Sequence, residues 1–72
     1  MQLEIVHLAN GESPQDHTYV LVMCGADEGG VIEHGSGVTV KSTSQTMLPE
    51  DVDLASSRAR KLGLNRIYVM GG

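Results

Sequence analysis

The sequence predicts an α+β fold with about five mostly antiparallel strands and one helix packed across one face of the sheet. Three observations predict it: a capped helical stripe, several short runs rich in β-branched residues, and glycine-containing turns between them. The elements are expected in the order ββββαβ. The 72 residues contain no linker or repeat, so residues 1–72 are expected to form a single domain.

Four strands are predicted in the first part of the chain. Residues 2–8 carry apolar side chains on both strand faces, and so do residues 18–24. The second run is β-branched or apolar throughout, which is typical of a central strand covered on both faces. Residues 31–34 and 38–42 flank Gly35-Ser36-Gly37, a three-residue connection typical of a hairpin with a bulge.

The helix is predicted over about residues 49–62. Pro49 suits a first turn, acidic residues precede basic ones along the segment, and Gly63 suits a left-handed stop. Leu54 is expected to lie off the apolar stripe and to be partly exposed. A last strand is predicted over residues 65–70. At about 100° per residue, the stripe expected to face the sheet consists of Val52, Ala55, Ala59 and Leu62.

The charges are segregated along the chain. Residues 1–53 carry all nine acids and only Lys41, which gives −8, whereas residues 54–72 carry four basic residues and no acid, which gives +4. The sum is the net charge of −4. Nonspecific nucleic-acid binding needs clustered Lys and Arg, so direct binding of nucleic acid is not expected. The pattern indicates an acidic body with a basic corner.

Cys24 is the one residue whose chemistry suggests catalysis, with His17 or His34 as its base. Positions 17 and 24 face opposite sides of a regular strand, which excludes His17 unless the strand bulges, while His34 stays open. A single cysteine at the end of an apolar strand is more often a small buried hydrophobe. It cannot form an internal disulfide. The chain is therefore expected not to be an enzyme.

Metal and cofactor sites are not expected either. His7, His17, His34 and Cys24 offer suitable ligand atoms, but they lack the close pairs that preorganise a zinc site. The glycine-rich segments lead into strands, whereas a phosphate-binding loop opens a helix. The sequence therefore predicts no metal and no cofactor.

The chain ends on a strand that continues directly into Gly71-Gly72, in the segment RIYVMGG. This ending resembles the tail of ubiquitin-like proteins, including the small sulfur carriers, over about seven residues. In that family the tail enters an activating enzyme and becomes an adenylate or a thiocarboxylate. The family's elements follow the order ββαββ, whereas the helix here is predicted just before the last strand. The resemblance implies an alternative function, a ubiquitin-like carrier that uses Gly71 and Gly72.

The leading hypothesis is a small non-enzymatic module that acts through a protein partner. The acidic body would attract a basic partner. A core without Phe or Trp is thin, and apolar strands leave at least one sheet edge that needs cover. A homodimer through an edge strand or the outer face of the helix is therefore expected. No apolar run could span a bilayer and no leader is visible, so a cytoplasmic location is expected. The candidate partner-binding residues are Asp27, Glu28, Leu54, Arg58, Lys61 and Arg66.

Overall fold

The computed structural model describes residues 3–9 and 11–71. They form one mixed sheet of five strands in the order β1-β5-β2-β4-β3, with one helix across one face. This confirms the α+β class, the five strands and the order ββββαβ. The elements are β1 (Glu4–His7), β2 (Tyr19–Cys24), β3 (Gly30–His34), β4 (Gly37–Lys41), α1 (Pro49–Lys61) and β5 (Arg66–Gly71).

The prediction of mostly antiparallel strands is wrong. β1 with β5, β5 with β2 and β2 with β4 are parallel, and only β3 with β4 is antiparallel. The reason lies in the connections, because parallel strands need a long crossover whereas antiparallel ones need only a tight turn. Residues 8–18 and residues 42–65 are such crossovers. The turn between β3 and β4 is tight: it consists of Gly35-Ser36, two residues instead of the three predicted, since Gly37 already belongs to β4.

The two crossovers lie on opposite faces of the sheet. The face covered by α1 is called the helix face, and the other is called the open face. Residues 42–65 cross the helix face. The described residues of the 8–18 crossover, 8–9 and 11–18, lie on the open face, where Tyr68 donates a hydrogen bond to Asp16 at 2.8 Å. The steps from β1 to β2 and from β4 to β5 run in opposite directions along the sheet. Crossovers of one hand must then lie on opposite faces.

The core lies between α1 and the helix face. Ala55 and Ala59 are fully buried there, and their small side chains let the helix lie close to the sheet. The placement of Leu62 in this stripe is wrong, because Leu62 ends the helix and is 41% exposed. Leu64 packs against the core after the turn at Gly63. The buried strand residues of the core are Val20, Val22, Val38, Val40, Ile67 and Val69.

The helix forms almost over the predicted range, from Pro49 to Lys61. The Asp51 carboxylate accepts a hydrogen bond from the Leu48 backbone N–H at 3.0 Å, which satisfies a free donor at the helix start. Gly63 adopts φ +72° after the last turn and ends the helix, as its position in the sequence predicts.

A single helix cannot cover five strands. The α1 backbone lies over β2, β4 and β5. A helix is about 10–12 Å wide, whereas five strands about 4.8 Å apart span about 19 Å. Side chains that point to the helix face from the edge strands therefore stay exposed: Ile5 on β1 is 40% exposed and Val31 on β3 is 37% exposed.

We expect the Ala59→Leu substitution to destabilise the fold by about 1–3 kcal/mol, because Ala59 is fully buried and the added atoms overpack the contact between helix and sheet. The midpoint of urea unfolding measures the effect. Ser57→Leu is the matched control, since Ser57 is exposed on the same helix. Equal midpoints for the two variants would contradict this placement of the helix.

Candidate functional site

Acidic residues gather at one end of the strands of the sheet. The carboxyl ends of β2 and β4 lie there, and so does the first turn of α1, because a crossover helix runs antiparallel to its strands. The loops that follow β2 and β4 are tied together, since Gly25 N–H donates to Ser44 O at 2.7 Å and Ala26 N–H donates to Ser42 O at 2.9 Å. We call this region the acidic edge: Asp27, Glu28, Glu50, Asp51 and Asp53.

The basic end of α1 lies at the opposite end of the strands. Arg58 forms an ion pair with Glu33 on β3, with Nη1 and Oε1 2.7 Å apart. Arg60 and Lys61 are exposed, and the described part of the chain offers neither an ion-pair partner. An open groove of about 320 Å³ lies between this helix end and the β3–β4 hairpin. Its lining includes Glu33, His34, Arg58, Lys61 and Leu62.

Arg66 takes part in a structural network. Its Nε lies 2.6 Å from Glu4 Oε1, and its Nη1 lies 3.7 Å from Asp16 Oδ2. Asp16 also accepts the hydrogen bond from Tyr68, which is 4% exposed. The network therefore fastens the 8–18 crossover to the open face and joins the start of β1 to the start of β5.

The six residues predicted to bind a partner do not form one surface. Asp27 and Glu28 lie at the acidic edge, whereas Arg58 and Lys61 line the groove at the opposite end of the strands. Arg66 lies at the start of β5, within its ion-pair network. Leu54 is half-buried and packs against the core, so it contributes to folding more than to an exposed surface. The six predicted residues are Asp27, Glu28, Leu54, Arg58, Lys61 and Arg66.

The surface that the sequence did not indicate is the outer edge of β3. All five residues of β3 are exposed, and Ile32 is 46% exposed on the open face. Two side chains of opposite character, Val31 and Glu33, point to the helix face. A sequence predicts that residues 31–34 form a strand, but it does not reveal that this strand lies at an edge. We call this surface the β3 edge: β3 and its outward backbone groups.

Two hydrogen bonds determine which backbone groups of β3 point outward. Tyr19 N–H donates to Ser36 O at 2.9 Å and Ser42 N–H donates to Met23 O at 2.7 Å, so the even-numbered residues 36–42 bond to β2. The odd-numbered residues of β4 therefore bond to β3, where their partners are Gly30, Ile32 and His34. It follows that the N–H and C=O groups of Val31 and Glu33 point away from the sheet.

His34 is held at the hairpin and does not reach Cys24. Its Nδ1 accepts a hydrogen bond from Ser36 N–H at 3.2 Å, and its Nε2 lies 3.0 Å from Thr39 Oγ1. Its ring also lies 5.6 Å from that of Tyr19, at the start of β2. Cys24 is at the other end of this six-residue strand, roughly 17 Å away. The pairing of Cys24 with His34 that the sequence left open is not formed.

The Cys24 thiol lies in an environment that disfavours the thiolate. It is half-buried beside the core, and burial raises its pKa, with the negative charge of Asp51 as a second cause. Thiolates are the reactive form of cysteine, so low reactivity at neutral pH is expected of this thiol. The first turn of α1 thus lies near Cys24, but the nearby charge is the negative carboxylate of Asp51, which disfavours the thiolate.

We expect native Cys24 to react slowly with a thiol reagent at neutral pH, because both its burial and its raised pKa reduce the accessible thiolate. The rate should rise in urea and as the pH approaches the thiol pKa. A matched control is Ser57→Cys in a Cys24→Ser background, since Ser57 is exposed on α1. Native Cys24 reacting as fast as this control would contradict the expectation.

Gly71 is the final residue of β5, and it pairs with Cys24 in β2. Its φ is +127°, and a Cβ at this position would overlap the backbone of Cys24. Glycine at position 71 therefore has a steric reason of its own. The structure places Gly71 in the sheet, and Gly72 lies outside the described residues, so the predicted tail is described only in part.

No family model, curated protein or solved structure matches this chain. No helix in residues 3–9 and 11–71 is long and apolar enough to cross a membrane. Within the same residues, no three His, Cys, Asp or Glu side chains are grouped so that they could hold a metal ion.

Proposed function

We propose that this chain is a small, non-enzymatic module that binds proteins and forms a homodimer. The observation that carries the proposal is the β3 edge, a fully exposed strand with outward N–H and C=O groups. Proteins protect such an edge with charge, proline or a covering segment, or they use it for pairing. β3 contains no Lys or Pro, and its carboxylate, Glu33, is held by Arg58. We therefore expect the edge to be used for association.

The acidic edge supports a basic protein as a further partner. Its carboxylates lie together at one end of the molecule, and such a charge distribution attracts a basic surface over long range. Direct binding of nucleic acid is disfavoured, because two of the four basic residues near the other end are engaged in ion pairs. A module of this kind would hold its two association surfaces at separate places.

The arrangement of the reactive residues supports a role without catalysis. Cys24 ends β2, whereas His34 belongs to β3 and lies beside Tyr19 at the start of β2. The raised pKa of Cys24 disfavours its thiolate. A single cysteine that is free and poorly reactive suits a reducing compartment. We therefore place the module in the cytoplasm.

Self-association has a direct test. Sedimentation equilibrium at micromolar concentration should give about twice the 7.7 kDa chain mass, because small oligomers are most often two-fold dimers. The apparent mass should fall towards that of one chain on dilution. A constant mass of one chain at every concentration would contradict the homodimer.

The basic partner has a separate test. Affinity capture from the source lysate should retain a basic protein on the wild-type chain, and the double variant Asp27→Asn, Glu28→Gln should lose most of it. The control is Glu12→Gln, which alters an exposed acid of the 8–18 crossover and keeps the charge of the acidic edge. Equal capture by the double variant and by the wild type would contradict the role of this edge.

The ubiquitin-like carrier alternative has less support, because Gly71 pairs within the sheet and has a steric reason to be glycine. Its test does not depend on association. After incubation with an activating enzyme and a sulfur donor, a carrier would show the mass gain of a thiocarboxylate, whereas the proposed binding module would keep its mass.

A further inference from the structure

We infer that two copies of this chain associate through the β3 edge, with β3 of one copy antiparallel to β3 of the other and Ile32 on the two-fold axis. The inference rests on the proposed function and adds the surface and the register. In this arrangement two five-stranded sheets join into one continuous sheet.

The backbone groups of the β3 edge are self-complementary. Each β3 directs two N–H and two C=O groups outward, from Val31 and Glu33. With Ile32 opposite Ile32 of the partner subunit, Val31 lies opposite Glu33 of the partner subunit. The four N–H groups of the pair then donate to the four C=O groups, and no outward group of these residues is left without a partner.

The side chains suit the same register. On the open face, Ile32 is 46% exposed and would meet its copy across the axis. The two residues form a non-hydrogen-bonded pair, the closer kind, with Cβ atoms about 4.5 Å apart. On the helix face, Val31 would be covered by the stem of Glu33 of the partner subunit. The two Glu33 carboxylates do not oppose each other in this register, and each keeps its ion pair with Arg58 of its own copy. No like charges are therefore brought face to face.

The register also keeps the two faces of the sheet consistent. Residues whose numbers add to 64 are paired, so every residue meets one of the same parity and hence of the same face. Both helices then lie on the same side of the joined sheet. The contact is isologous, so it closes at two copies and does not propagate into a filament.

The other edge of the sheet is less suited to this pairing. Val6 would lie on the axis of an equivalent β1 pairing, but it is only half-exposed. The 8–18 crossover lies over the open face beside it, where Glu12, Ser13 and Gln15 enclose a cavity of about 190 Å³ with Val6. This crossover would crowd a second copy, whereas both faces of β3 are exposed.

Disulfide cross-linking tests the surface and the register together. In a Cys24→Ser background, the Ile32→Cys variant should form a disulfide-linked dimer readily under a mild oxidant, because the two Cβ atoms meet at the axis. Val31→Cys is the first matched control. Its Cβ would lie roughly 7–8 Å from its copy, beyond the span of about 3.5–4.5 Å that a disulfide needs. Val6→Cys, on the axis of an equivalent β1 pairing, is the second control.

A second variant pair does not depend on cross-linking geometry. Ile32→Lys places two charges at the axis and should shift the sedimentation equilibrium to the monomer, whereas Ile5→Lys should leave the dimer intact. Circular dichroism of both variants confirms that each is folded, since both positions are exposed.

The outcomes separate this inference from the proposed function. Cross-linking several times greater for Ile32→Cys than for both controls, with loss of the dimer in Ile32→Lys, supports it. Preferential cross-linking of Val6→Cys or Val31→Cys overturns the edge or the register. A wild-type dimer that neither Ile32 variant affects overturns the β3 pairing while the homodimer stands. A wild-type chain that is monomeric at every concentration overturns both the pairing and the homodimer.

Discussion

Replacing Gly37 by alanine is expected to destabilise the fold by about 2–6 kcal/mol, the sum of about 1–3 for backbone strain and about 1–3 for overpacking. Gly37 adopts φ +137°, and a Cβ there would overlap the carbonyl group of Tyr19 in the central strand β2. The clash is with backbone, so no side-chain rotation relieves it. Denaturant unfolding measures the loss, and an insoluble variant would be compared by thermal melting of the soluble fraction.

Two glycines separate the causes of this effect. Gly35→Ala adds a Cβ in open space without a left-handed φ and should have little effect. Gly63→Ala adds a Cβ in open space at φ +72°, so it should cost only about 1–2 kcal/mol of strain. A Gly37→Ala variant no less stable than Gly35→Ala would contradict the close approach of β4 to β2.

Replacing Ile67 by alanine is expected to cost about 2–5 kcal/mol, because a large side chain is removed from the centre of the core and leaves a cavity. Ile67 is fully buried between β5 and α1. Ile5→Ala is the matched control, since Ile5 pairs with Ile67 in the adjacent strand and is 40% exposed. It should lose well under half as much. Equal losses for the two variants would contradict a core restricted to the centre of the sheet.

The parts of the fold that depend on neighbouring residues could be predicted from the sequence. The helix range follows from Pro49, the charges at its two ends and Gly63, all of which act within a turn or two. The alternation of β5 also follows, because Ile67 and Val69 must share a face of any strand. The apolar stripe was predicted to extend to Leu62, but the helix ends at Lys61. The chain leaves the helix at Leu62, so the stripe ends before it.

Strand direction and strand position could not be predicted in the same way. Pairing joins residues far apart in sequence, and β2 lies between β4 and β5 although neither adjoins it in the chain. One local signal did point to parallel strands: residues 18–24 are apolar on both faces, as in sheets covered on both sides. A helix between β4 and β5 is a second signal, because a crossover of that length typically joins parallel strands.

The candidate surfaces depend on those pairings. The acidic edge unites residues 27–28 with the start of α1 only because β2 and β4 are parallel. The β3 edge exists only because β3 pairs with β4 alone. Sequence patterns therefore identified Asp27 and Glu28 as exposed acids and Arg58 as a helix-end charge. They could not predict that Arg58 contacts Glu33. Nor could they predict that the backbone groups of Val31 and Glu33 face outward.

Pairing of the β3 edge with a protein strand would cover the outward amides of β3, and amide hydrogen exchange measures that cover residue by residue. Exchange is measured residue by residue on the wild-type chain at low and at high concentration. The amides of Val31 and Glu33, which point outward in the single chain, should become protected as the concentration rises, while those of Ile5 and His7 on the β1 edge should not change. Unchanged exchange at Val31 and Glu33 across a range in which the mass doubles, or new protection at Ile5 and His7 alone, would contradict the account.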